Sequence, residues 1–161
     1  MSKRQVLVIE DDPYRRGSYK TYLERAGYAP RLVEGKTVAQ LMTNAASECE
    51  RDEFHCLVLD LWIKARREEG NAVQLYGNSF CGILIYVKLM DLGLTKKFDH
   101  VVVASRLIAR EMKDVGCDDV AFPIRVFVDV AQIPYENVID VSEDEGFMHV
   151  CRRLNELAMG L

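Results

Sequence analysis

Short apolar runs that stop at acids or turn residues alternate along this chain with longer segments whose apolar side chains return every three or four positions. The first run is QVLVI, Gln5 to Ile9, a β-branched stretch suited to a strand buried on both faces. It stops at Glu10, Asp11 and Asp12. Asp12 followed by Pro13 opens a helix well, because the carboxylate caps free N–H groups and proline at the first helical position gives up no hydrogen bond. That helix is expected from Pro13 to about Ala26, with Tyr19, Tyr22, Leu23 and Ala26 on one face and Gly27 as a left-handed stop. A second unit repeats the pattern: a strand over Ala29 to Val33, then a helix opened by Thr37 with Val38, Leu41, Met42 and Ala45 on one face, ended by the charged stretch Glu48 to Glu53. Cys56-Leu57-Val58-Leu59-Asp60 then reads as a central strand that delivers Asp60 to its C-terminal end.

The second half is less regular. An extended loop is expected over about 61–79, where KARREEG is densely charged and NAVQLYGN has no period of either kind. Phe80 to Leu92 reads as a buried helix stopped by Gly93; its ILIYV centre suits a strand equally, and the α/β alternation favours the helix. His100 to Ala104 is a fourth strand, Leu107 to Val115 a helix closed by Gly116, and Val120 to Phe122 a short fifth strand stopped by Pro123. Residues 124–141 contain Pro134 and no clean helical period, which makes them a second loop extension. Ser142 to Glu145 has the S-x-x-E form of a capping box, and Phe147, Val150, Cys151, Leu154, Leu157 and Ala158 behind it fall on one helical face. Alternating apolar strands and helices imply the α/β class, and right-handed crossovers leave few arrangements. The expected fold is flavodoxin-like: a doubly wound, five-stranded parallel sheet with helices on both faces, forming a single domain over 1–161.

Composition narrows the function. At 161 residues, 49% of them hydrophobic, the chain suffices for one core and is short for two. A net charge of -4 gives no electrostatic reason to expect nucleic acid or an anionic membrane as partner. The five cysteines, Cys49, Cys56, Cys81, Cys117 and Cys151, form no CxxC pair and read as reduced core residues. His55, His100 and His149 stand without metal-ligand spacing and read as structural. The apolar run at the N-terminus meets three acids at positions 10 to 12, so it is neither a signal core nor a membrane span, and a cytoplasmic location is expected.

In a sheet of this kind ligands bind beyond the carboxyl ends of the strands, near the switch point of the strand order, and that is where Glu10, Asp11 and Asp60 should meet. Three clustered carboxylates repel one another unless a cation compensates them, and an oxygen-only set suits Mg2+. Asp60, on its own central strand, is the candidate nucleophile for an acyl phosphate.

At these residues the chain resembles a known family. VLVIEDDPYRR is similar to the first strand and acidic turn of response-regulator receiver domains of the CheY-like superfamily, LVLDL to their phosphoacceptor strand, and GCDDVAFP to the stretch leading into their fifth strand and its Lys-Pro element. The resemblance implies Glu10 and Asp11 as metal ligands, Asp60 as phosphoacceptor and third ligand, and Mg2+ as cofactor. It implies Ser105 as the hydroxyl that contacts the phosphoryl group, a position that passes to Ala104 with a one-residue shift. It also implies a histidine kinase or phosphotransfer protein as donor, a protein effector, and no enzymatic turnover; separately, any exposed part of the apolar helix Phe80 to Leu92 would be a natural surface for a homodimer or partner.

The chain departs from the family where a lysine should precede the fifth-strand proline. Phe122 stands there, or Pro123 in an ungapped alignment, and no lysine follows Lys113. Arg106, Arg125 and the basic residues of Lys64 to Arg67 are the substitutes considered. The reading is therefore a stand-alone, atypical receiver, with no room after Leu161 for a DNA-binding output domain. A pseudo-receiver acting as a phosphorylation-independent interaction or dimerisation module is the alternative. A Mg2+-dependent phosphohydrolase with Asp60 as nucleophile is weaker, because Trp62 occupies the place where such enzymes carry a second acid.

Overall fold

The computed structural model describes residues 2–63, 81–106 and 118–161, with the backbone alone at 118–123. Five strands, β1 (Gln5–Ile9), β2 (Ala29–Leu32), β3 (Phe54–Leu59), β4 (Phe98–Ser105) and β5 (Val138–Asp140), form one parallel sheet in the order β2-β1-β3-β4-β5. This is the flavodoxin-like arrangement expected from the sequence. The order reverses between β1 and β3, the pair whose carboxyl ends carry Glu10 and Asp60.

Strand alternation sorts the core into two layers. Val6, Val8, Cys56, Val58, Val102 and Ala104 face α1 (Pro13–Arg25) and the C-terminal helix, whose Tyr19, Leu23, Phe147, Val150 and Leu154 cover them. Leu7, Ile9, Leu57, Leu59 and Val103 face the other way, beneath α2 (Val38–Arg51), α3 (Cys81–Asp91) and α4 (Asp118–Val130). The strands are buried on both sides, as their unbroken apolar runs require.

Two of the three expected N-caps form. Asp12 accepts from the N–H groups of Tyr14 at 2.9 Å and Arg15 at 3.3 Å. Thr37 accepts from that of Gln40 at 3.1 Å. Gly27, at φ 90°, closes the first helix. α2 ends inside the charged stretch Glu48 to Glu53, as expected, with Arg51 in its last turn and Asp52 as C-cap.

The C-terminal third differs from expectation. Val120 to Phe122 is not the fifth strand: α4 runs from Asp118 through Pro123 to Val130. Behind the proline, Ile124, Phe127, Val128 and Ala131 lie at i, i+3, i+4 and i+7, the first three buried and Ala131 packed beside them. The helical period behind Pro123 outweighs the tendency of proline to stop an element. Residues 124–141 are accordingly not a loop extension. They hold the second half of α4, a 3-10 turn at Tyr135–Asn137, and β5 itself. The comparison of GCDDVAFP with a fifth strand falls with this correction. The strand and the residues after it, Val138 to Ser142, contain no lysine.

The last helix, α5 (Asp144–Ala158), buries Phe147, Val150, Cys151, Leu154 and Leu157 as expected, but the capping box does not form. Its N-cap is Glu143, and the Ser142 hydroxyl turns instead to the Arg106 carbonyl and the Asp140 carboxylate, both at 2.5 Å. The helix expected over Leu107 to Val115 and most of the 61–79 loop lie outside the described residues.

Gly82 shows how closely α3 sits against the end of β3, since a Cβ there would lie 2.0 Å from the Asp60 carbonyl oxygen and 2.7 Å from the Leu61 Cα. Gly17, in the middle of α1, has nothing within 4 Å. Gly82→Ala is thus expected to lower unfolding stability by about 1–3 kcal/mol or more through overpacking. Gly17→Ala should raise it by about 0.5–1 kcal/mol. Urea unfolding of the two variants checks the contrast, and equal stabilities would contradict the packing described.

Candidate phosphoacceptor and metal site

The site grows from the ends of β1 and β3. The Asp60 N–H donates to the Ile9 carbonyl at 3.0 Å, which locks the outlet of one strand to that of the other. Glu10 is fully buried, Asp60 is 2% exposed, and Asp11 is half-buried. One carboxylate oxygen from each lies within 4.8 Å of the other two, so the three residues named from the sequence do converge. Among the described residues this is the group of acids, histidines and cysteines with a spacing that could hold a metal ion.

The carboxylates are unequally satisfied. Asp60 Oδ1 accepts from the Trp62 N–H at 3.0 Å, whereas the buried Oδ2 has no hydrogen-bond partner. Glu10 is engaged on both oxygens, accepting from the Asp12 N–H at 3.1 Å and from Arg15 Nε at 3.0 Å. Burial pushes the Asp60 carboxyl well above the ordinary aspartate range, the Glu10 charge adds to the rise, and the Trp62 N–H and Arg15 oppose it. Burial also raises Glu10, against the Asp12 N–H and the Arg15 charge. An orphaned buried oxygen and an all-oxygen donor set fit a hard divalent cation. Glu10, Asp11 and Asp60 would hold Mg2+.

Arg15 was not anticipated. It is 5% exposed, on the first turn of α1, and pairs with Glu10 while Nη1 donates to the Val141 carbonyl at 3.0 Å. Its guanidinium carbon lies 5.4 Å from the centre of the Phe147 ring. Nη2 is buried without a partner, as is the Tyr19 hydroxyl one turn along the helix. Burial pushes the Tyr19 phenol well above its usual value, and the charges of Asp60 and Glu10 add to the rise. The sequence held a signal for this: Arg15, Tyr19 and Leu23 lie at i, i+4 and i+8 on the buried stripe of α1, so the apolar face runs into an arginine next to the acidic turn.

Ser105 closes β4, 2% exposed and opposite Asp140 of β5, and its carbonyl accepts the Val141 N–H at 3.3 Å. The β3–β4 register pairs Leu59 with Val103, so one step further puts Asp60 level with Ala104. The described basic residues considered as lysine substitutes lie elsewhere: Arg125 is exposed on α4, and Arg106 follows β4 half-buried. His55 and His100, read as isolated, meet edge to face with ring centres 5.3 Å apart, and His55 stacks on Tyr28. Cys49, Cys56, Cys81 and Cys151 are buried free thiols, and burial pushes Cys49 and Cys151 up to about 11, which keeps them unreactive.

No protein-family model and no curated protein matches the sequence. Solved structures do match the fold. The receiver domain of the Francisella response regulator 1452 aligns over 98% of both chains with a TM-score of 0.57 and 16% identity. A CheY-like receiver domain protein from Methanospirillum hungatei aligns over 99% of this chain and 100% of its own, with a TM-score of 0.55 and 15% identity. A response regulator protein from Burkholderia pseudomallei, solved with a phosphorylated aspartic acid and a calcium ion, aligns over 98% of this chain and 72% of its own, at 0.53 and 19%. The chain has the fold of response-regulator receiver domains.

Carboxyls whose folded pKa is raised bind protons more tightly in the folded than in the unfolded chain, so each such group costs stability as pH climbs above its unfolded value. For Asp60 that loss begins near the ordinary 3.8 and continues upward toward the raised value. Metal-free protein is therefore expected to lose stability as pH rises from about 4 toward neutrality. Asp60→Asn should be more stable than the native chain at neutral pH, with a flatter profile. Chemical denaturation in the presence of a chelator measures both, and an equal slope in the two proteins would contradict the assignment.

Proposed function

We propose that this chain is an atypical receiver module of phosphorelay signalling: Asp60 accepts a phosphoryl group in a Mg2+-dependent reaction, and the domain signals through protein contacts rather than by turnover of a free substrate. The observation that carries the reading is the buried, unpartnered Asp60 Oδ2 inside a triad of carboxylates at the switch point of a receiver-fold sheet. The absence of lysine from Val138 to Ser142 makes the receiver atypical.

In the reaction, Asp60 Oδ2 attacks the phosphorus of a phosphohistidine on a histidine kinase or phosphotransfer protein. The P–O bond forms, the P–N bond breaks, and the donor imidazole leaves with the electron pair and takes up a proton. Mg2+, when bound, supplies charge neutralisation for the phosphoryl oxygens. The Trp62 N–H holds the other Asp60 oxygen, fixing the carboxylate so that Oδ2 faces the donor. Ser105, at the outlet of β4, is the residue proposed to contact the phosphoryl group. Among the described residues no helix is long and apolar enough to cross a membrane.

One observation favours the second reading, an interaction module independent of phosphorylation. Both Glu10 oxygens already have partners, and Arg15 brings a fixed positive charge to the pocket. Incubation with acetyl phosphate separates the readings. The receiver is expected to gain one base-labile phosphoryl group by intact mass, only with Mg2+, and none in Asp60→Asn. No phosphoryl gain in the native protein would sink the receiver reading and leave the interaction module. Turnover of a generic phosphomonoester that vanishes in Asp60→Asn would instead make the protein a phosphohydrolase.

A further inference from the structure

A buried arginine normally has its donors used, because each N–H left unbonded in the interior costs a desolvation penalty that nothing returns. Arg15 breaks that rule in one place. Nε is on Glu10 and Nη1 on the Val141 carbonyl, but the buried Nη2 has no partner. The guanidinium is planar, and one N–H of Nη2 is held parallel to Nε–H. Since Nε–H is directed at the Glu10 carboxylate, that N–H points to the same side, toward the acidic cluster in which Asp60 Oδ2 is also unpartnered, and Arg15 acts on the buried Tyr19 hydroxyl as well. A donor and an acceptor stand open in one buried site without bonding each other.

Both vacancies have the form of an oxyanion site: a fixed N–H donor beside a carboxylate able to carry the anion. From this geometry we infer that Arg15 is the anion clamp of the pocket, its free Nη2–H donating to an oxygen of the phosphoryl group borne by Asp60. The inference rests on the receiver reading, and it assigns the fixed cation which that reading otherwise lacks. The remaining donors give the clamp a path outward. Nη1 grips the backbone after β5, and the guanidinium lies against Phe147 of α5, which itself packs edge to face on Tyr19 at 4.8 Å. Gly146 brings α5 close to the same backbone, where a Cβ would lie 2.5 Å from both the Asp140 carbonyl and the Val141 Cα. Movement of Arg15 toward the anion is thereby transmitted to β5 and α5.

Beryllofluoride, which mimics a phosphoryl group on a carboxylate, tests the clamp with Mg2+ titrated separately. Arg15→Met, which keeps the buried stem, is expected to weaken beryllofluoride binding roughly 10- to 100-fold at saturating Mg2+, as loss of a charge-assisted hydrogen bond does. Arg15→Lys, with the charge but not the fork, should fall between the two. In the native protein, the slowly exchanging guanidinium 15N signals of Arg15 should shift on adding beryllofluoride and stay put in Asp60→Asn. If Arg15→Met binds beryllofluoride as the native chain does, or the guanidinium signals do not move, the clamp is overturned while the receiver reading stands. If the native protein binds no beryllofluoride even with Mg2+, both are overturned together.

Discussion

Glu10 and Asp60 place two carboxyls in the interior, and negative charge on either has to be compensated there. Two unscreened carboxylates at the ends of adjacent strands would push the sheet apart or take up a proton. Here the compensation is divided. Glu10 is paired with Arg15 and held by the Asp12 N–H, so its charge is internal to the fold. Asp60 keeps one oxygen open, so its compensation has to come from outside: a proton, a metal ion, or a phosphoryl group together with its cation. The raised proton affinity of Asp60 and the readiness of the pocket for Mg2+ have the same physical origin.

The same arginine explains how an event at Asp60 would be felt elsewhere. Its contacts reach the acidic turn after β1, the Val141 carbonyl after β5, and the Phe147 ring on α5. The outlet of β4 is fastened to the same region, with the Ser105 carbonyl accepting from Val141 and the Arg106 carbonyl from the Ser142 hydroxyl. The C-terminal ends of β4 and β5 are thus tied together, and Arg15 joins them to the acids. A breakable ion pair in this position suits a switch better than a store of stability, since buried pairs add little net free energy over apolar packing.

Much of this was legible in the chain. QVLVI, the Asp12-Pro13 opening, the Thr37 cap and the LVLD strand gave two strands, two helices and the acidic triad correctly, because local pattern and tertiary burial agree there. Agreement ends after β4. Pro123 lies inside a helix whose apolar period survives it, so a rule that reads proline as a boundary moved the fifth strand some 18 residues too early. Ser142 has the composition of a cap, but its hydroxyl is drawn to Arg106 and Asp140 by tertiary contacts that spacing does not encode. Arg15 was hidden for a related reason: in a sequence it is one basic residue beside another in a solvated first turn, and only packing against Phe147 and Glu10 makes it the interior cation.

The central claim is that Asp60 Oδ2 is an open acceptor that takes an anion together with a divalent cation. Trp62, the single tryptophan, sits two residues away with its backbone N–H on the other Asp60 oxygen, so a change at that carboxylate bears on the backbone that carries the indole. The decisive measurement is a titration of Trp62 fluorescence with Mg2+ and then beryllofluoride. The account predicts two successive saturable changes, the second requiring the first and both lost or strongly weakened in Asp60→Asn. Identical responses from the native protein and Asp60→Asn, or none from either, would contradict it.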